Sequence, residues 1–132
     1  MVPKISADDA RQLASDFHDL AVSVGNLKFA RWDDLTPAQR AKLDSLQWTL
    51  MNYSSDFSTQ AIQISLDDRK GSLSDIKKST DAAKAVLAKI KTINRVIGIA
   101  SAAAVLAASI ISGSPTGIST AAKGLFDQAT AS

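Results

Sequence analysis

The chain has 132 residues, enough for one domain, and 45% of them are hydrophobic while only 5% are aromatic. It contains no cysteine, which excludes disulfide bonds, thiol catalysis and a cysteine-ligated zinc site. The abundance of alanine and serine favours close-packed helices over a sheet. We therefore expect an all-α fold, with a single helical-bundle domain over residues 1–132.

The net charge of +2 is unevenly distributed along the chain. Residues 1–68 carry six basic and ten acidic side chains, residues 69–95 carry eight and two, and residues 96–132 carry one of each. Two interpretations stay open: an acidic front half that packs against a basic third helix, or a basic surface for phosphates. The first residues lack the apolar segment of a secretory signal, which predicts a cytoplasmic location or export by a leaderless route.

The first predicted helix covers residues 7–24. Ser6 supplies an N-cap hydroxyl, and the glycine and asparagine at positions 25–26 give a C-terminal stop signal. Apolar residues recur between these signals at intervals of three and four, which predicts one apolar stripe. The connector over residues 27–35 has four large apolar residues among its charges, so we expect it to lie on the bundle: Leu27, Phe29, Trp32 and Leu35.

The second predicted helix covers residues 37–66 and has the clearest start signal in the chain. Thr36 is the N-cap, Pro37 takes the first helical position, and Gln39 closes a capping box. Trp48 falls on a second apolar side, which we interpret as core, with an exposed partner site as the alternative. A heptad seam predicts near-parallel helix packing and four core residues: Leu43, Leu46, Leu50 and Phe57.

The third predicted helix covers residues 73–111, with Leu87 and Ile90 in the core, and a weaker fourth helix covers residues 118–130. Short turns make successive helices antiparallel neighbours. The predicted fold is thus an antiparallel bundle of three strong helices, two long and one medium, plus a weak C-terminal helix. A basic stripe at heptad spacing on the third helix is expected to pair with aspartates: Lys77, Lys84 and Lys91.

Residues 96–111 form an uncharged apolar run. Its sixteen residues would rise about 24 Å as a helix, against about 30 Å of hydrocarbon in a bilayer. Three interpretations stay open: a buried core helix, a conditional membrane segment and a constitutive transmembrane helix. A basic flank precedes the run and would favour anionic headgroups: Lys89, Lys91 and Arg95. The predicted membrane or partner contacts are the larger members of the run and one alanine: Val96, Ile97, Ile99, Ala104, Val105, Leu106, Ile110 and Ile111.

No catalytic or ligand-binding motif occurs in the sequence. The one histidine, His18, does not share a helical face with Asp16. There is no glycine-rich phosphate loop, and the basic segment 69–95 has no aromatic residue on which a base could stack. We expect a protein that is not an enzyme, with no cofactor or metal and with neither nucleic acid nor a small-molecule substrate as its partner.

Two functional hypotheses follow from the apolar run. The predicted third helix outreaches the second by about 13 Å, so its end near residues 104–111 would be covered only by the fourth helix and the connector. In the first hypothesis, a soluble bundle releases a masked apolar hairpin, about residues 96–126, to a membrane. Long helices with a hydrophobic helical hairpin resemble α-helical pore-forming toxins in layout, over the last third of the chain. In the second hypothesis, the chain is a scaffold or oligomer that buries the same segment in a partner subunit.

Overall fold

The computed structural model describes residues 7–59, 72–87, 93–112 and 115–130, and within these ranges it contains five α-helices and no strand. The all-α prediction is confirmed. The α-helices, with one short 3-10 helix at Trp32–Asp34, are α1 (Ala7–Ala30), α2 (Pro37–Thr59), α3 (Ser72–Leu87), α4 (Ile93–Ser112) and α5 (Pro115–Thr130).

Helix α1 continues past its predicted end at position 25, as far as Ala30. The stop signal fails because Gly25 is buried against α2, where the absence of a side chain lets Gln47 approach closely. The next turn is then held by Lys28, whose amine donates to Asp44 Oδ1 at 2.8 Å and to Gln47 Oε1 at 3.1 Å. Gly25 is therefore a buried glycine within α1 and not a C-cap, so the predicted helix end is wrong.

Helices α1 and α2 form an antiparallel hairpin. At one end Lys28 meets Asp44, and at the other the Ser54 hydroxyl donates to the carbonyl oxygen of Ala14 at 2.6 Å. The capping box at the start of α2 is present: the Thr36 amide donates to Gln39 Oε1 at 2.9 Å, and the Gln39 amide donates to Thr36 Oγ1 at 3.1 Å. The turn and the first helical residue are therefore fixed by local sequence.

The predicted heptad seam of α2 lies in the core. Leu43, Leu46, Leu50 and Phe57 are buried, as is Leu87 on α3. The rings of Phe17 and Phe57 pack with their centroids 5.2 Å apart. Ile90 lies outside the described residues. Trp48 is exposed, so the interpretation of this residue as core is wrong, whereas Met51 on the same side of α2 is half-buried and packs against the core.

The predicted single helix over residues 73–111 is described as two helices, α3 and α4, which both pack against α5. If one straight helix covered these residues, Asp75 would lie about 30 Å along its axis from Arg95. Instead, Asp75 lines a cleft with Ser119 of α5, while Arg95 contacts the far end of the same helix at Ala129. A straight-helix overhang beyond α2 therefore does not exist.

Helix α5 is a core element rather than a weak cover. It begins at Pro115, three residues before the predicted start, because the fixed φ of proline suits the first helical position. Its buried residues recur at helical spacing: Ile118, Ala122, Leu125 and Ala129. Elsewhere α1 packs on α2 and α3, and α2 packs on α4.

Candidate apolar contact surface

The residues of α4 predicted to contact a membrane or a partner divide between two faces of the helix. Val105 is 58% exposed and Ile111 is also exposed, while Ile97 and Ala104 are half-buried. The other predicted contacts are buried, and with three alanines they form a stripe at intervals of three and four: Val96, Ile99, Ala100, Ala103, Leu106, Ala107 and Ile110. One face therefore belongs to the core, and the opposite face, which combines Val105 with Asn94, Ser101 and Ser109, meets solvent.

The described part of the chain contains one helix that is long and apolar enough to cross a membrane by length and composition. The window is Asn94–Ile111, of which 39% is buried in the fold. A core helix passes the same test, so the solvent-facing side is what distinguishes α4. That side combines small residues with Val105 and Ile111: Ser101, Ala104, Ala108 and Ser109.

The buried face of α4 is covered mainly by α5 and α2. Gly98 allows close approach of α5, since a Cβ built there would lie 3.3 Å from Gln128 Oε1. At the start of α4 the Gln39 amide nitrogen Nε2 lies 3.4 Å from Asn94 Oδ1. The connector 27–35, which leads into α2 just before Gln39, therefore lies at the N-terminal end of α4. The expectation that it covers the opposite end, near residues 104–111, is wrong.

Of the predicted basic flank, Lys89 and Lys91 lie outside the described residues. Arg95 is half-buried, and its guanidinium donates to the carbonyl oxygen of Ala129 at 3.3 Å. A cation at the C-terminal end of a helix also interacts favourably with the helix dipole. Arg95 thus helps to hold α5 on α4 in this state.

A charge cluster built on the buried Asp16 joins α1 to α3. The Lys84 amine donates to Asp16 Oδ1 at 3.0 Å and lies 3.7 Å from both Asp19 and Asp81. Burial works against the charged amine, but the hydrogen bond and the negative charge of Asp16, with the charges of Asp81 and Asp19, raise the pKa of Lys84 above its ordinary value. The expectation that this member of the basic stripe pairs with aspartates is confirmed. Lys77 lies 3.9 Å from Asp81.

Exposed aromatic side chains form a second surface, of which the sequence predicts only the Trp48 side, as the alternative of an exposed partner site. Phe29 is 71% exposed, Trp48 is 63% exposed and Trp32 is 42% exposed. Phe29 and Trp48 line one cleft of about 290 Å³ with Met51. The available signals were the large apolar residues of the connector and the position of Trp48 off the heptad seam.

Two of these aromatic residues, Phe29 and Trp32, lie beside cations. The Lys28 amine lies 5.1 Å from the centroid of the Phe29 ring, and the Arg40 guanidinium lies 4.3 Å from that of Trp32. Arg40 also donates to the backbone carbonyl of Trp32 through Nη2 at 2.6 Å and Nε at 3.0 Å. The end of the α1–α2 hairpin is therefore an ordered surface.

Comparison with protein-family models, with curated proteins and with solved structures finds no match. No group of three potential metal-binding side chains occurs in the ranges that the structure describes. Any functional proposal for this chain therefore rests on its own surfaces, among them the outer face of α4 with Val105 and Ile111 and the surface of the α1–α2 hairpin with Phe29, Trp32 and Trp48.

Proposed function

We propose that this protein is a non-enzymatic helical bundle whose α4–α5 hairpin, about residues 96–126, engages a membrane. The observation that supports the proposal is the asymmetry of α4. The window Asn94–Ile111 has a high mean hydropathy, yet only one face of it is buried in the core, which leaves Val105 and Ile111 exposed to solvent. These two side chains, with the alanines beside them, are the apolar surface that the proposal assigns to an interaction.

The dimensions of α4 suit this role. Its 18-residue apolar window extends about 27 Å, close to the roughly 30 Å of hydrocarbon in a bilayer. The two-residue connection between α4 and α5 keeps the pair together as a hairpin. Small residues on α4, among them Gly98 and Ser101, would allow close helix contact within lipid. In layout the hairpin resembles those of α-helical pore-forming toxins.

The engagement has two stages in this proposal. The solvent-facing side of α4 can touch an apolar surface without any change of fold, because it is already uncovered. Insertion requires α2 to leave the buried face of α4 while α5 enters the lipid with α4, which exposes the part of the buried stripe that α2 covers. Exchange of protein contacts for lipid contacts keeps that stripe out of water, so the hydrophobic cost of opening is offset in the membrane.

The test uses a charge placed on the exposed face. Val105→Asp should leave the fold intact, since the side chain points to solvent, and should remove co-sedimentation with anionic vesicles, because an aspartate at the centre of a membrane helix costs about 2.5–3.5 kcal/mol. Asn52→Asp, at an exposed position on α2, changes the net charge equally and should bind as the original chain does. Undiminished vesicle binding by the Val105 variant would refute the proposal.

A scaffold or oligomer that buries the same face in a partner subunit is the alternative. The small residues Ala104 and Ala108 beside Val105 favour it, because they permit close packing of a second helix. Size-exclusion chromatography with light scattering distinguishes the two. The alternative gives an oligomer in lipid-free buffer that Val105→Asp dissociates, whereas membrane engagement gives a lipid-free species whose mass this variant does not change.

A further inference from the structure

Three exposed aromatic side chains of the α1–α2 hairpin take no part in the bundle core. Of the seven aromatic side chains in the chain, Phe17 and Phe57 are fully buried, Tyr53 and Phe126 are half-buried, and Phe29, Trp32 and Trp48 are exposed. Both tryptophans of the chain belong to the exposed group. Phe29 and Trp32 lie near the end of the hairpin, and Trp48 lies midway along α2 in the same cleft as Phe29. Exposing these large rings forgoes the burial that would otherwise stabilise the fold, which points to contact with something outside the chain.

The local chemistry combines aromatic rings with cations. Lys28 is buried, and its amine donates hydrogen bonds to Asp44 and Gln47 of α2. The same amine also lies over the ring of Phe29. Arg40 stacks on Trp32 and fixes its backbone. Rigid amphipathic rings beside Lys and Arg are typical of segments that lie at the boundary between lipid headgroups and acyl chains.

The charge of the hairpin changes sign along its length. Residues 28–48, which contain the three exposed rings, carry four basic and three acidic side chains. At the opposite end, Arg11 is the single lysine or arginine in residues 11–19 and 52–57, against three aspartates: Asp16, Asp19 and Asp56. The aromatic end is therefore the one that an anionic lipid surface would attract.

The position of this end connects it to α4. Gln39 lies beside Asn94, the first residue of the apolar window. A surface held by Trp32 and Arg40 near Gln39 thus sits next to the N-terminal end of the helix proposed to enter lipid. Aromatic residues at the ends of membrane helices occupy this same interfacial depth.

We propose that Phe29, Trp32 and Trp48 form an aromatic anchor that lodges in the headgroup region of an anionic membrane. The anchor makes the first contact, and the basic residues around it orient the hairpin so that the N-terminal end of α4 faces the lipid. This inference rests on the proposed membrane function and assigns it a second, separate site. It differs from that function in needing no opening of the bundle.

Because both tryptophans belong to the anchor, their fluorescence reports directly on it. On addition of vesicles of phosphatidylcholine with phosphatidylglycerol, tryptophan emission should shift to shorter wavelength, and lipids brominated near the headgroup should quench it. Vesicles of phosphatidylcholine alone should give weaker binding, and rising salt should weaken binding to the anionic vesicles. Unchanged emission in a sample whose protein co-sediments with the vesicles would overturn the anchor.

The matched variants separate the anchor from α4. The double variant Phe29→Ser with Trp48→Ser should weaken partition into anionic vesicles about tenfold or more, since each aromatic ring contributes a large apolar area. Val22→Ser removes another exposed apolar side chain of α1 outside the anchor and should leave partition unchanged. Circular dichroism checks that each variant keeps its helices.

The outcomes distinguish this inference from the proposed function. If Val105→Asp abolishes binding while the double variant binds normally, the anchor is wrong and the role of α4 stands. If the double variant fails to bind while Val105→Asp binds normally, the anchor stands and the role of α4 is wrong. A shift in tryptophan emission that follows protein concentration in lipid-free buffer would show that a second copy of the chain covers the aromatic residues, which overturns the lipid anchor.

Discussion

Lys84 on α3 forms an ion pair with Asp16 on α1, with 3.0 Å between Nζ and Oδ1, although the Asp16 side chain is only 2% exposed. Gln12 supplies a second hydrogen bond to the same oxygen at 3.0 Å. A buried carboxylate is tolerated when it is both paired and hydrogen-bonded. The pair therefore fixes the position of α3 against α1.

The first prediction follows from removing the amine. Lys84→Met should lower the free energy of unfolding by about 1–3 kcal/mol, because it leaves the buried Asp16 with Gln12 as its remaining side-chain donor. Urea unfolding followed by circular dichroism measures the change. Lys77→Met removes an exposed lysine of the same helix and should change the free energy of unfolding by less than about 0.5 kcal/mol. Equal effects from the two substitutions would show that the buried pair does not stabilise the fold.

The raised pKa of Lys84 predicts a pH dependence in the alkaline range. The amine binds its proton more tightly in the folded chain than in the unfolded chain, so its contribution is fully present below its ordinary value of 10.5. That contribution is lost as pH rises through the higher folded pKa. The difference in stability between the original chain and Lys84→Met should therefore be constant from pH 7 to 9 and shrink above about pH 10.5. A difference that grows in this range would contradict the prediction.

Two glycines give opposite predictions. Gly124→Ala in α5 should raise the free energy of unfolding by about 0.5–1 kcal/mol, because glycine is a poor helix former and a Cβ there meets no atom within 4 Å. Gly25→Ala in α1 should fail to stabilise, since its Cβ would meet Gln47 Nε2 at 2.5 Å and disturb the amide that binds Lys28.

A double-variant cycle checks the cause of this difference. With Gln47→Ala already present, Gly25→Ala should recover the stabilisation expected from helix propensity. Thermal unfolding of the four chains gives the coupling between the two positions. If Gly25→Ala remains unfavourable in the Gln47→Ala background, a contact other than Gln47 limits this position.

Substitutions of core leucines should cause the largest losses of stability. Leu50→Ala and Leu87→Ala should each lower the free energy of unfolding by about 2–5 kcal/mol, because both side chains are buried and leave cavities. Denaturant unfolding is the measurement, and Lys42→Ala on the exposed side of α2 is the control. A loss below about 0.5 kcal/mol would place the tested leucine outside the tightly packed core.

The elements that the sequence predicts correctly are those with local causes. The start of α2 follows from Thr36 and Gln39, whose mutual hydrogen bonds involve residues only three positions apart. The seam of Leu43 and Leu50 follows from heptad spacing, which needs no knowledge of the partner helix. Such features are encoded within one helix or one turn.

The errors concern tertiary packing. Gly25 considered alone predicts a helix end, but in the fold the Gln47 side chain of α2 occupies the space that a side chain at position 25 would need. The arrangement of α3 and α4 as two helices depends on the packing of both against α5. The sequence between Leu87 and Ile93 contains no glycine or proline that would predict a helix end there. The exposed side of Trp48 likewise depends on which neighbours α2 acquires. None of these contacts is contained in the spacing of residues along one segment.

The order of the helices along the chain has a consequence for biosynthesis. Helices α1 and α2 adjoin each other in sequence and can pair as soon as both have emerged from the ribosome, but the buried face of α4 is completed by α5, which is made after it. The ribosomal exit tunnel encloses the most recently added residues, so α4 becomes accessible only after it has left the tunnel. From then until α5 docks, the stripe with Ile99 and Leu106 lacks its principal cover. A chaperone or a membrane could bind this stripe only within that interval, before the completed bundle conceals it.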